Sequence, residues 1–136
     1  MGLAEKRAVA AYQKDKWPTW QQKLNAITGF EPTYEIAWDQ LAKEGYSAEY
    51  PTMFDYNFFE PLEIALKSIC QDDLGKDALK EKIKKVSITS TRSWCSLEVK
   101  IEGDTLKLDA DPSYERSNGS VTSYADKMRL ALEAAL

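Results

Sequence analysis

A run of alternating residues around a glycine-led turn constrains this chain more than any other feature. Cys95, Leu97, Val99 and Ile101 alternate with Ser96, Glu98, Lys100 and Glu102, and Gly103-Asp104 follows. A two-residue connection with glycine first is the type II′ signature, whose twist matches that of paired strands. It sets Ile101 opposite Leu106, Val99 opposite Leu108 and Leu97 opposite Ala110. All of these pairs are apolar, so turn chemistry and alternation independently specify one register. A slip by one residue would turn every apolar side chain to water. Val86 and Ile88 alternate just upstream, and the sheet expected from these segments is a small antiparallel meander of about three strands.

Most of the remaining chain has helical character. Residues 3–15 are rich in Ala, Lys and Glu, with Ala4, Ala8, Ala11 and Tyr12 on one stripe. Pro18 predicts a break at 16–18, because proline disfavours a helical Trp17 before it and suits the first turn of a helix after it. The following segment places Trp17, Trp20, Leu24 and Ile27 on one stripe, better suited to a core than to a stacking platform, and Gly29 stops it. Tyr34, Ile36 and Trp38 alternate as in a short strand, and Asp39 caps a turn over 40–44 closed by Gly45. Residues 46–57 show no period, contain Pro51, and are expected to form a loop. Further helices are expected from near Pro61, and from an Asp72/Asp73 cap to Lys84-Lys85. A last helix carries Tyr124, Met128, Ala131, Leu132 and Ala135 on one face, and Ser123 with Asp126 resembles a capping box at its start. The expected class is α+β. N-terminal helices would pack on one face of the meander and a C-terminal helix would close a single domain over residues 1–136.

Composition narrows the function. The chain has no histidine, 18 basic and 22 acidic residues, and a net charge of −4. An acidic balance argues against nucleic acid as a partner, since electrostatic binding there requires a basic face. The absence of histidine removes the commonest general base and metal ligand, and with it any Ser-His-Asp or Cys-His arrangement. No glycine-rich phosphate loop or dinucleotide fingerprint occurs, and no cofactor is expected. The charged N-terminus resembles no signal peptide, and no apolar run suggests a membrane, so a cytoplasmic protein with reduced Cys70 and Cys95 is expected. The lysines of 76–85 alternate with acids at helical spacing and read as a solvated face.

Two constellations remain. Segment 28–66 holds eight acids against the single base Lys43, together with nine of the chain's fifteen aromatic residues. Tyrosine offers large area, few torsions and a polar tip, and interleaved acids steer cations. The leading expectation is therefore a non-catalytic interaction protein that binds a basic protein partner or a small cationic ligand. Its surface would comprise Tyr46, Glu49, Tyr50, Phe54, Asp55 and Tyr56, beside the Trp38–Glu44 turn. The competing reading folds these aromatics into the core, and a further one makes the segment a homodimer interface. The second constellation lies on the polar face of the hairpin, where Glu98 falls opposite Asp109, with Asp111 two residues on. These acids could hold a magnesium ion or perform acid–base chemistry, although their spacing matches no calcium loop.

Overall fold

The computed structural model describes residues 1–136. Helix α1 (Leu3–Asp15) is followed after Lys16 by α2 (Trp17–Thr28), with Pro18 in its first turn as the sequence requires. Gly29 terminates α2 in the left-handed conformation, φ 79°, and donates to the Asn25 carbonyl. A short strand β1 (Thr33–Ile36) leads into the single turn α3 (Trp38–Leu41), so Trp38 opens a helix instead of ending a strand.

Residues 47–59 are not a loop. A 3₁₀ turn (Ser47–Glu49), helix α4 (Tyr50–Phe54) and a π-helical segment (Asp55–Phe59) run without interruption into α5 (Glu60–Ile69). Tyr50, Met53, Phe54, Asn57, Phe58 and Phe59 are wholly buried. A helix covered on nearly every side shows no polar–apolar period, and a π turn shifts what period there is. The sequence signal for a helix is absent here for that physical reason.

Helix α6 (Asp73–Lys82) is capped by Asp72, whose carboxylate accepts the Gly75 N–H at 2.8 Å. Strands β2 (Lys85–Thr89), β3 (Glu98–Glu102) and β4 (Thr105–Asp109) follow. A 3₁₀ turn (Asn118–Ser120) then leads to α7 (Val121–Ala135). Ser123 lies inside α7 and bonds the Ser120 carbonyl, so it is not the cap.

The architecture is mixed helix and sheet, but the sheet is no meander. Its order is β1-β2-β4-β3, with β1 parallel to β2, β2 parallel to β4, and only the β3–β4 hairpin antiparallel. That hairpin has the register its turn dictates, with Val99 opposite Leu108 and Ile101 opposite Leu106. The chain passes from β2 to the far edge before β4 returns into the gap, which sequence neighbourhood alone does not reveal. Val86, Ile88, Leu106 and Leu108 bury one face of the sheet in a core they share with Tyr12, Leu24, Phe54 and Met128, among others. The opposite face carries the ion pairs Lys85–Glu35 (3.0 Å), Lys107–Glu102 (2.7 Å) and Lys100–Glu98 (3.5 Å). No helix is long and apolar enough to cross a membrane.

Candidate functional site

The six aromatic and acidic residues singled out in 46–56 do not form one surface. Tyr50 and Phe54 lie in the core at 0% exposure, stacked with ring centres 5.1 Å apart, and the Tyr50 hydroxyl donates to the Lys43 carbonyl at 2.7 Å. They are packing residues and offer a partner nothing. Tyr46 precedes the 3₁₀ turn, Glu49 ends it, and both engage Arg116. Its guanidinium lies 4.8 Å above the Tyr46 ring, and its Nε is 3.3 Å from Glu49. Asp55 begins the π-helical segment and faces α1 and α2 instead, with half-buried Tyr56 next in the chain.

Asp55 anchors the best-defined polar cleft of this segment. Its Oδ1 accepts the Tyr12 hydroxyl at 2.6 Å and the Trp20 indole N–H at 2.9 Å. Both donors belong to buried side chains, and charge-assisted bonds of this kind are short and strong. Burial, the charge of Asp55 and its hydrogen bond all raise the Tyr12 phenol, so Tyr12 acts as a donor and not as a base. The cleft beside Asp55 encloses about 330 Å³ and is lined by Asp15, Lys16, Thr19, Trp20 and Lys23.

Glu60 and Glu63 extend the negative charge along the start of α5. Glu63 is met by Lys23 at 3.3 Å and Lys67 at 3.8 Å. Burial raises the Glu60 carboxyl, and the neighbouring charges of Asp55 and Glu63 raise it further, against a smaller opposing effect of Lys23. Asp55 therefore receives only neutral donors, and the nearby lysines pair with Glu63 and not with Asp55 or Glu60.

Sequence reasoning placed Tyr12 and Trp20 on core stripes and missed that they hold Asp55. The signal was available. A buried tyrosine or tryptophan needs an acceptor for its polar tip, and Asp55 is the lone carboxylate within the aromatic run 53–59.

The hairpin acids do not converge. Asp109 accepts the Thr89 hydroxyl (3.1 Å), the Thr91 N–H and hydroxyl (both 2.8 Å) and Arg92 Nε (3.1 Å). Asp111, expected on the same face, is buried among the loops beyond the strands. It accepts the Trp94 N–H at 2.7 Å and, on its other oxygen, the Ser113 N–H and hydroxyl at 2.9 and 2.6 Å. Burial alone would raise both carboxyls. For Asp109 the bonds from Thr91, Arg92 and Thr89 outweigh it; for Asp111 those from Ser113 and Trp94, with Lys43 nearby, do so. Both stay below the ordinary carboxylate range, as loop-bracing groups with their lone pairs engaged. Glu98 faces Arg92 and Lys100. Nowhere do three acidic or cysteine side chains gather closely enough to surround an ion. Burial raises the Cys70 thiol, against a smaller effect of Lys76, and Cys95 is half-buried.

Comparison with protein-family models, with curated protein sequences and with solved structures gave no match to this chain.

Proposed function

We propose that this is a small interaction protein without catalysis of its own, which binds a basic partner through the acidic patch of Asp55, Glu60 and Glu63, with half-buried Tyr56 next to Asp55 in the chain. The observation that supports this most directly is that Asp55 is bonded only by the neutral Tyr12 and Trp20 donors, while the nearby lysines pair with Glu63 and leave Asp55 and Glu60 without an ion pair. A lysine or arginine from a partner would supply the missing counter-charge and would be drawn in by the chain's overall negative charge. Tyr12 and Trp20 hold Asp55 in place beforehand, which reduces the ordering cost of binding.

Linkage makes the reading testable. A cation docked beside Glu60 favours its ionised form, so binding releases a proton and strengthens as pH rises through the raised Glu60 value. The test is capture from a source-cell lysate with wild-type bait beside Asp55→Asn/Glu60→Gln, a pair that keeps shape and removes two charges. A protein held by wild type and lost by the variant supports the reading, provided that its retention falls with added salt. Equal lanes for the two baits would overturn it. Light scattering over a concentration series identifies a second copy of the chain as the partner, if that is what the patch binds.

A further inference from the structure

The chain has three asparagines, and one of them precedes a glycine. Asn25 lies inside α2 with Ala26 after it, and Asn57 is wholly buried in the π-helical segment ahead of Phe58. Asn118 precedes Gly119 in the 3₁₀ turn that leads into α7, and both residues are exposed. An asparagine amide can be attacked from within the chain by the backbone nitrogen of the next residue, which closes a five-membered ring. A side chain on that next residue crowds the approach, and glycine has none. The surroundings of Gly119 are open as well. A methyl group added there would meet, beyond its chain neighbours, only the Ser117 Oγ, at 3.4 Å.

Two contacts hold the turn closed. The Ser117 Oγ accepts the Gly119 N–H at 3.3 Å, and the Asn118 carbonyl accepts the Val121 N–H. Ser117 is placed by its own hydroxyl, which donates to Glu115 at 2.7 Å. Ring closure needs the Gly119 nitrogen free of its proton and the Asn118 backbone rotated out of the helical range, so neither contact survives it. Their loss costs little, because 3.3 Å is long for N–H···O and 3₁₀ bonds are poorly aligned. A short exposed turn of this kind opens well before the fold does. The chain on either side is held more firmly. The buried Asn57 amide donates to the carbonyls of Pro112 at 3.2 Å and Glu115 at 2.7 Å, and Tyr124, Ala125 and Met128 bury the inner face of α7. Opening is thereby confined to residues 117–120.

We propose that Asn118 is a site of self-modification, at which the folded chain deamidates through opening of the 117–120 turn. The Gly119 nitrogen, its proton lost to water or hydroxide, bonds to the Asn118 Cγ. The bond from Cγ to the side-chain nitrogen breaks, ammonia leaves, and a cyclic succinimide remains. Water then adds to one of the two ring carbonyls and the ring opens. Addition at the side-chain carbonyl leaves aspartate, and addition at the main-chain carbonyl leaves isoaspartate, which puts one extra methylene into the backbone. The sum is an amide and water giving an acid and ammonia, with nothing oxidised or reduced. Either product adds one negative charge just before α7, at the positive end of its dipole and two residues after Arg116. The site shares no residue with the Asp55 patch, and neither proposal depends on the other.

The test holds the folded full chain in warm, mildly alkaline buffer for weeks, follows its intact mass, and then maps the peptides. Exchange of an amide for an acid adds one mass unit, and chromatography separates the aspartate from the isoaspartate peptide. A single gain at Asn118 is expected, as a mixture of the two products, with Asn25 and Asn57 unchanged over the same period. The rate should rise with pH, because the attacking nitrogen must lose its proton. Gly119→Ala should slow the reaction several-fold by crowding that nitrogen; Gly119 is not in the left-handed region, so alanine fits the turn. Ser117→Ala, which frees the Gly119 N–H, should speed the reaction several-fold. Circular dichroism verifies that both variants stay folded. No mass gain in the folded chain, a gain at Asn25 or Asn57 in its place, or a rate unchanged in either variant would each overturn the proposal.

Discussion

Phe54 shows what separates a core aromatic from a binding aromatic in a chain rich in both. It is wholly buried, edge-on to Tyr12 at 5.0 Å and stacked on Tyr50. Replacing a phenylalanine so placed leaves a cavity, and Phe54→Ala should cost about 3–5 kcal/mol in urea unfolding. A surface anchor at the same position would leave the unfolding midpoint nearly unchanged, so the measurement separates the two roles directly. Asp111 offers the complementary case of a buried polar residue whose lone pairs are matched to donors. In Asp111→Asn an amide N–H₂ replaces one acceptor, and either the Trp94 N–H or a Ser113 donor is stranded. The cost should be about 1–3 kcal/mol. Asp111 also supports a left-handed tryptophan that itself carries about 1–2 kcal/mol of strain. Loss of the edge-on Trp94–Tyr114 ring contact, read from the near-ultraviolet circular dichroism of Asp111→Asn, should accompany the loss of stability.

Among the elements, the π-helical segment governs most of what surrounds it. Its first residue, Asp55, ties down α1 through Tyr12 and α2 through Trp20, and its middle residue, Asn57, ties down the loop of Tyr114. Asp55→Ala strands two buried donors and should destabilise by about 2–4 kcal/mol, whereas Asp55→Asn keeps an acceptor for them and should lose less than half of that. Equal losses in thermal unfolding would mean that the charge of Asp55, and not its acceptor, holds the helices. This segment was also the least legible in the sequence. Local rules suffice where local physics decides: Gly103 sets the β3–β4 register, Pro18 and Gly29 bound α2, and Asp72 caps α6. They fail over 47–59, where burial on nearly every side removes the period, and over the sheet, where β2 pairs with β4 instead of β3. That pairing is settled by packing of Val86 and Ile88 against Leu106 and Leu108, between segments the chain joins only through the 90–97 loop and the hairpin. The candidate site was legible in part. Asp55 and Tyr56 stand at or beside it and Tyr46 and Glu49 at Arg116, while Tyr50 and Phe54 are core.

At the scale of the whole molecule, Asp109 and Asp111 on one side and Glu60 on the other respond oppositely to pH. Asp109 and Asp111 are held below their ordinary values by the bonds they accept, so their stabilisation is present above the unfolded carboxylate range and is lost as pH falls through their folded values. Glu60 is held above its ordinary value by burial and by Asp55 and Glu63, so its contribution to folding is favourable in acid and is lost as pH rises through its folded value. The chain as a whole should therefore unfold more readily as pH falls below about 4, where the carboxylates of the unfolded chain take up protons that Asp109 and Asp111 in the folded loops do not. Glu60→Gln should act in the other direction. Glutamine reproduces the protonated acid, so the variant should match wild type in acid and exceed its stability at neutral pH, where wild type holds an ionised Glu60 against its burial and two like charges. Urea midpoints measured across pH for both proteins check this. Curves that stay parallel throughout would show that Glu60 feels no net negative potential, and the acidic patch would then have no unmet charge to offer a basic partner. Curves that diverge as pH rises would show that the folded chain tolerates a destabilising charge at this point, the situation expected where a cation from outside completes the cluster.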